Sequence, residues 1–191
     1  MDTTRPSLLL RIRDPSDAGA WRTFDALYRP MLERFARARG LSPEDAEDIA
    51  QQCLAVITDR SAELSYDPQK GRFKGWLRTL VNNRVRNLLR DRREFQGDTA
   101  DFQNLPEPEP TPDEAFERIW AEEHLWHCLR ELRGEVEEPT FLAFLHYVIE
   151  QRPIEQVCGE LNLAPGNVYT IKWRLTQRVA VKMRELVDGL E

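Results

Sequence analysis

The chain contains 191 residues, of which 27 are Lys or Arg and 33 are Asp or Glu, giving a formal net charge of −6. This length allows one domain or two small ones. No apolar run approaches the ~20 residues that a membrane span requires. The three leucines at 8–10 are too few for the apolar region of a signal peptide. Three widely separated cysteines do not form a disulfide framework, so we expect a soluble, reduced, cytoplasmic protein without a membrane span.

The charge is unevenly distributed along the chain. Residues 1–95 hold 18 basic and 14 acidic side chains, residues 96–140 hold 3 and 13, and residues 141–191 hold 6 of each. Within 70–93 there are nine basic side chains and a single acid, Asp91. A solvated helix face usually mixes the two signs, whereas a cluster of one sign indicates a polyanion site. The distribution favours nucleic-acid binding, although the net charge alone argues mildly against it.

The apolar residues recur with the helical period and no alternating strand pattern is present, which predicts an all-α fold of two small helical domains. An apolar face begins at Trp21. Pro30 suits the first position of a helix, and its apolar stripe then continues to a stop at Gly40. Ser42 followed by Pro43 and by acidic residues predicts the start of the next helix.

A proline-rich segment divides the two domains. Residues 96–112 contain four prolines at alternate positions with acids between them, which excludes a helix or a central strand. This segment is predicted to be an extended linker between a domain at 14–95 and a domain at 113–187. The first domain contains a loop at 60–72 and then a long helix with arginines outside. The second begins with a helix near 113–133, and another helix follows Pro139.

Residues 154–174 have the spacing of a helix-turn-helix. Leu163 fills the turn, while Val168 and Ile171 hold the second helix against the first. The outward side chains are of the kinds that read base edges or bind phosphates in a major groove; they are Asn167, Tyr169, Thr170, Lys172, Trp173, Arg174 and Arg178. A generic αα-hairpin remains an alternative, and the zero net charge of 141–191 predicts weak DNA affinity for this part alone.

Three motifs occur in a fixed order: Asp45-Ala-Glu-Asp-Ile-Ala-Gln-Gln52, the segment from Tyr66 to Arg90, and the helix-turn-helix. Together they resemble the extracytoplasmic function (ECF) class of sigma factors of bacterial RNA polymerase. The resemblance implies that 14–95 is region 2 and that 113–187 is region 4. It implies that 96–112 is the linker that threads the RNA-exit channel, while a plain disordered tether remains an alternative. It implies core RNA polymerase and promoter DNA as partners, and it allows an anti-sigma factor as a third partner.

The resemblance assigns the first motif to the polymerase. In this family the segment docks on the coiled coil of the β′ subunit, while region 4 contacts the β flap. The residues at the matching positions are Asp45, Glu47, Asp48, Gln51 and Gln52. Acids on an exposed helix face suit a basic partner, but the helix dipole alone explains Glu44 and Asp45. The family usually has Glu in place of Gln52 and an aromatic residue in place of Leu54.

The resemblance assigns the other two motifs to promoter DNA. In region 2 the residues implied to capture the −10 element are Lys74, Trp76, Arg78, Asn83, Arg84, Arg86 and Arg90. Asn83 matches the Asn that holds a base flipped out of the stack, the arginines would follow phosphates, and a core role for Trp76 is equally consistent. In region 4 the outward residues of the helix-turn-helix would read the −35 element. Leu175-Thr176-Gln177 interrupts the basic run common in the family.

Metal binding and catalysis are not expected. His124 and Cys128 have i, i+4 spacing and His127 lies between them, but no second Cys or His pair completes a four-coordinate site. There is no Walker loop, dinucleotide fingerprint or G-x-S-x-G motif, so we expect neither an enzyme nor a cofactor. Two alternatives to a sigma factor remain: a stand-alone helix-turn-helix regulator that binds duplex DNA, and a protein-only interaction module that uses the acidic helix.

Overall fold

The computed structural model describes residues 8–61, 73–95 and 111–187, and within these ranges it contains helices and turns but no strand. The all-α prediction is confirmed. The helices are α1 (Leu8–Arg11), α2 (Ala18–Ala38), α3 (Pro43–Arg60), α4 (Phe73–Phe95), α5 (Pro112–Arg133), α6 (Glu138–Phe144), α7 (Ile154–Leu161) and α8 (Pro165–Val187). A π turn at Leu145–Ile149 continues α6. The predicted loop, from residue 62 onward, and the linker, up to residue 110, lie outside the described residues.

Helix α2 is continuous through Pro30, so the expectation that a helix begins at this proline is wrong. Asp17 caps the helix by accepting a hydrogen bond from the backbone N–H of Ala20 at 2.8 Å. An interior proline removes one helical hydrogen bond and costs roughly 3 kcal/mol. The buried stripe on either side of Pro30 outweighs this cost, because each large apolar side chain contributes about 1.5–3 kcal/mol. The stripe consists of Phe24, Leu27, Tyr28, Met31, Leu32 and Phe35.

Helix α3 begins as predicted. Ser42 is its N-cap and accepts a hydrogen bond from the backbone N–H of Asp45, with Pro43 in the first turn. The preceding turn uses Gly40 at a φ of +87°, which a side chain would strain. One face of α3 packs on α2, and the apolar face of α4 joins the same core. The core-facing residues of α3 and α4 are Ala46, Ile49, Ala50, Cys53, Ile57, Leu77, Val81 and Val85.

The first half of α5 belongs to this core. The ring of Phe116 lies 5.6 Å from that of Phe35, and the ring of Trp120 lies 5.8 Å from that of Tyr28. Arg34 of α2 pairs with two carboxylates of α5, and the nitrogen–oxygen distance is 2.5 Å to both Glu122 and Glu123. These contacts bind the start of α5 to α2.

The described residues therefore pack into two compact units. The boundary between the units follows Glu123 and does not coincide with the predicted linker. One unit runs to Glu123 and includes Leu186, and the other spans His124–Glu185. Composition placed the division at 96–112 because prolines mark where a helix cannot form. The assignment of 113–187 to region 4 remains a prediction.

The second unit contains the end of α5, α6, the π turn, α7 and most of α8. Its buried apolar residues include Leu129, Phe144, Val157, Val168 and Leu175. Cys128 of this unit and Cys53 of the other are buried thiols, whereas Cys158 is partly exposed. Burial raises the pKa of Cys53 to about 12 and that of Cys128 to about 11. None of the helices in the described ranges has the length and apolarity that a bilayer span needs.

Candidate functional site

The outer face of α3 presents a polar surface. Glu47, Asp48, Gln51 and Gln52 are all exposed. Their spacing of three and four residues places them on one side of the helix, opposite the side that packs on α2. This surface offers two carboxylates and two amides to a partner without disturbing the core. Four of the five predicted polymerase contacts therefore lie together.

Asp45, the fifth candidate, is engaged inside the unit. Its carboxylate accepts a hydrogen bond from the Ser42 hydroxyl at 2.7 Å and another from Arg92 of α4 at 2.5 Å. The Ser42 hydroxyl, and after it the Arg92 guanidinium, lower the pKa of Asp45. The side chain is 16% exposed. Asp45 consequently supports the Ser42 cap of α3 and joins α3 to α4.

The outward face of α4 carries four of the predicted DNA contacts. Because successive helical residues are rotated by about 100°, Trp76, Asn83, Arg86 and Arg90 fall on one side. Asn83, Arg86 and Arg90 are exposed, while Trp76 is half-buried with its ring 5.8 Å from that of Phe73. The arrangement combines an amide that can pair with a base edge, an aromatic ring and two guanidinium groups.

The other three predicted contacts on α4 point elsewhere. Lys74 pairs with Glu117 of α5 at 2.6 Å, and Arg78 lies 3.6 Å from Asp113. Arg84 is partly buried toward α3, and its positive charge lowers the pKa of Cys53 while burial, the larger effect, raises it. The seven residues therefore do not form a single surface.

A helix-turn-helix is present in the second unit. Helix α7 ends at Leu161, and Asn162 adopts a left-handed conformation with a φ of 51° that turns the chain. The backbone N–H of Leu163 donates to the carbonyl of Cys158 at 3.1 Å. Val168 and Ile171 are buried, as the spacing predicts, so α8 is held with its other side exposed.

The exposed side of α8 carries six of the predicted contacts: Asn167, Tyr169, Thr170, Lys172, Trp173 and Arg174. Trp173 is 69% exposed and Tyr169 is 52% exposed, so both rings are available to a binding partner. The Thr170 hydroxyl donates to the carbonyl of Gly166 at 2.9 Å, so it is already satisfied within the helix. Arg178 differs from these six residues, because it is only partly exposed and its guanidinium is paired with Glu135 at a nitrogen–oxygen distance of 2.5 Å.

Residues 25–95 match the family model described as Sigma-70 region 2. This segment is therefore similar to region 2 of the sigma-70 family of sigma factors. No curated protein and no solved structure matches the chain. The matched segment contains both the outer face of α3 and the outward face of α4.

Several residues at these surfaces were not anticipated from the sequence. Tyr147 in the π turn lies edge-on to Tyr169 at 5.9 Å, and the Lys172 ammonium is 5.4 Å from the centre of the Tyr147 ring. Hydrogen bonding with Tyr147 raises the pKa of Tyr169. Asp113 and Glu117 are the acids that face Lys74 and Arg78. No local pattern predicts these pairings, since each joins residues far apart in sequence.

The His and Cys residues of α5 do not form a metal site. Among the residues that the structure describes, no group of three His, Cys, Asp or Glu side chains could hold a metal ion. His124 and Cys128 are fully buried. Burial, the larger effect, lowers the pKa of His127 against the opposing influence of Glu131. These side chains belong to the packing of the second unit.

Proposed function

We propose that this chain is an ECF-type sigma factor that guides core RNA polymerase to promoters with defined −35 and −10 elements and starts DNA melting. The observation that carries the proposal is the outward face of α4, where Asn83, Arg86 and Arg90 lie exposed within a sigma-70 region 2 domain. This face would take the non-template strand. The protein would act in the cytoplasm, with core polymerase and promoter DNA as its partners.

Each surface has a separate task in this proposal. The carboxylates on the outer face of α3 would bind a basic surface of the polymerase, where charge complementarity favours encounter and orientation. Asn83 would hold a base that has left the stack, while Arg86 and Arg90 bind the phosphates beside it. The exposed side of α8 would read the −35 duplex in the major groove. Capture of unpaired bases would shift the promoter toward its melted form, since a bound strand cannot re-anneal.

The test is transcription in vitro with purified core polymerase and a library of promoter fragments. We expect promoter-specific transcripts only when the protein is added, and we expect Arg86→Ala to reduce promoter opening while Asn83→Ala changes the preferred −10 sequence. Arg37→Ala, an exposed arginine at the end of α2, is the charge-matched control and should behave as wild type. Failure to bind core polymerase would contradict the proposal, and tight duplex binding without polymerase would favour a stand-alone regulator.

A further inference from the structure

The start of α4 is covered by carboxylates of α5. The Lys74 ammonium lies 2.6 Å from a carboxylate oxygen of Glu117 and 5.5 Å from the centre of the Trp120 ring. The Arg78 guanidinium lies 3.6 Å from Asp113 and 3.9 Å from Glu117. Two cations of the basic stretch at 70–93 are thus neutralised within the same compact unit.

The segment that supplies these carboxylates, residues 111–123, is amphipathic. We call it the acidic cover. One side is apolar and buried, and its members are Ala115, Phe116, Ile119 and Trp120. The other side presents Asp113 and Glu117, both exposed. The helix start is also capped, because the backbone N–H of Thr111 donates to Glu114 at 3.0 Å and that of Glu114 donates back to the Thr111 hydroxyl at 3.3 Å. The cover is therefore a defined helical element with its own N-terminal cap.

The ion pairs between the acidic cover and α4 are weak. The Glu117 side chain is 49% exposed and that of Asp113 is 67% exposed, and solvent screens such pairs strongly. A carboxylate and a phosphate bind the same ammonium and guanidinium groups, so a nucleic acid strand can replace the carboxylates of Asp113 and Glu117 without leaving the cations unpaired. The cover competes efficiently because it is part of the same chain and acts at a high effective concentration.

We propose that the acidic cover is a competitor for single-stranded DNA at the start of α4, so that Lys74 and Arg78 reach the strand only after the carboxylates of Asp113 and Glu117 have released them. This inference rests on the proposed function, because it takes α4 as the strand-binding helix. In the free protein the strand contacts only the outward face of α4. Release of Lys74 and Arg78 from these carboxylates adds two phosphate contacts and strengthens the binding of the melted strand.

The experiment measures the binding of the full-length protein to a fluorescein-labelled oligothymidylate of about 20 nucleotides by fluorescence anisotropy at several salt concentrations. The variant Asp113→Asn/Glu117→Gln removes the competing charges while keeping side-chain size. Asp59→Asn/Glu155→Gln is the control, since both acids are exposed, have no ion-pair partner among the described residues, and change the net charge equally.

We expect the cover variant to bind about threefold to tenfold more tightly than wild type, with a slope of log Kd against log salt that is steeper by about 1.4 for two additional phosphate contacts. Adding Lys74→Ala/Arg78→Ala to the cover variant should abolish this gain. A cover with only a structural role would alter thermal stability without changing the salt slope.

Equal affinity of the cover variant, the control and wild type would overturn the inference. So would a gain that persists after Lys74 and Arg78 are replaced. The variant Arg86→Ala distinguishes failure of the proposed function from failure of this inference alone. If this substitution leaves both strand binding and transcription by the holoenzyme unchanged, α4 is not the strand-binding helix and the inference fails with it.

Discussion

Arg92, near the end of α4, donates a hydrogen bond of 2.5 Å to the carboxylate of Asp45 in the first turn of α3. This contact gives Asp45 a different role from Asp48, which is exposed one turn later on the same helix. We predict that Asp45→Asn lowers the free energy of unfolding by about 1 kcal/mol, because the capping and α4 contacts are weakened. Asp48→Asn should leave it unchanged but weaken binding to core polymerase. Chemical denaturation and polymerase pull-down measure the two effects, and an identical response of both variants would contradict the distinction.

The same carboxylate makes stability depend on pH. The pKa of Asp45 is lowered in the folded chain, first by the Ser42 hydroxyl and then by Arg92, from an ordinary value of 3.8. A group whose pKa is lowered on folding stabilises the protein above its unfolded pKa and loses that contribution as the pH falls through the folded pKa. We expect the wild type to lose more stability on acidification below about pH 5 than Asp45→Asn does. Parallel loss in both proteins would show that other carboxylates dominate.

Removal of the proline inside α2 should stabilise the first unit. Pro30→Ala restores a backbone N–H in the helix interior, and alanine has the highest helix propensity. We expect the free energy of unfolding to rise by about 1–3 kcal/mol, reduced somewhat by the greater freedom of the unfolded chain. Pro43→Ala is the control, because Pro43 occupies the first turn of α3, where proline costs little. A decrease in stability of Pro30→Ala would mean that the proline fits its site better than alanine.

The exposed tryptophan of α8 should matter for DNA but not for folding. Trp173 is 69% exposed, whereas Ile171 two residues earlier is 9% exposed. We expect Trp173→Ala to weaken holoenzyme binding to a −35 duplex by about 1–3 kcal/mol, as the loss of a base contact does, with no change in thermal unfolding. Ile171→Ala should destabilise the second unit by roughly 2–5 kcal/mol through the cavity it leaves. Normal promoter binding by Trp173→Ala would remove this residue from the interface.

His127 should titrate below the ordinary range of histidine. Burial lowers its pKa from 6.5, and the positive charges of Arg130 and Lys182 add to this, while Glu131 opposes it. The neutral form is therefore favoured in the folded state, so the second unit should become more stable as the pH rises through about 6.5 and less stable below it. NMR titration of the imidazole checks the pKa directly. A pKa above 6.5 would show that Glu131 outweighs burial.

The fold followed from sequence wherever a local rule decides the structure. Ser42 and Pro43 set the start of α3, and the apolar spacing of Val168 and Ile171 placed the buried side of α8. The exposure of Tyr169 and Trp173 was likewise predicted from helical geometry. In each of these cases residues within one or two turns of each other contain the necessary information.

The rest depended on contacts between distant parts of the chain. Proline usually marks a helix boundary, but the core on both sides of Pro30 overrides this preference. The prolines of 96–112 indicated a domain boundary, yet Phe116 and Trp120 pack with α2. The candidate surfaces differ from the predicted ones for the same reason. Asp45 pairs with Arg92, and Lys74 pairs with Glu117, only after the chain has folded. Helical spacing alone could not distinguish these side chains from their exposed neighbours.

The three cysteines differ in exposure, and this difference makes one thiol of the helix-turn-helix accessible to labelling reagents. Only the thiolate form reacts with alkylating reagents, and burial holds the thiols of Cys53 and Cys128 protonated at neutral pH. Cys158, on the first helix of the helix-turn-helix, is partly exposed. A maleimide dye should therefore attach selectively to Cys158 in the native protein without any engineered substitution. The chain thus carries a natural attachment point for a fluorophore on the helix that precedes α8, the helix proposed to read the −35 element.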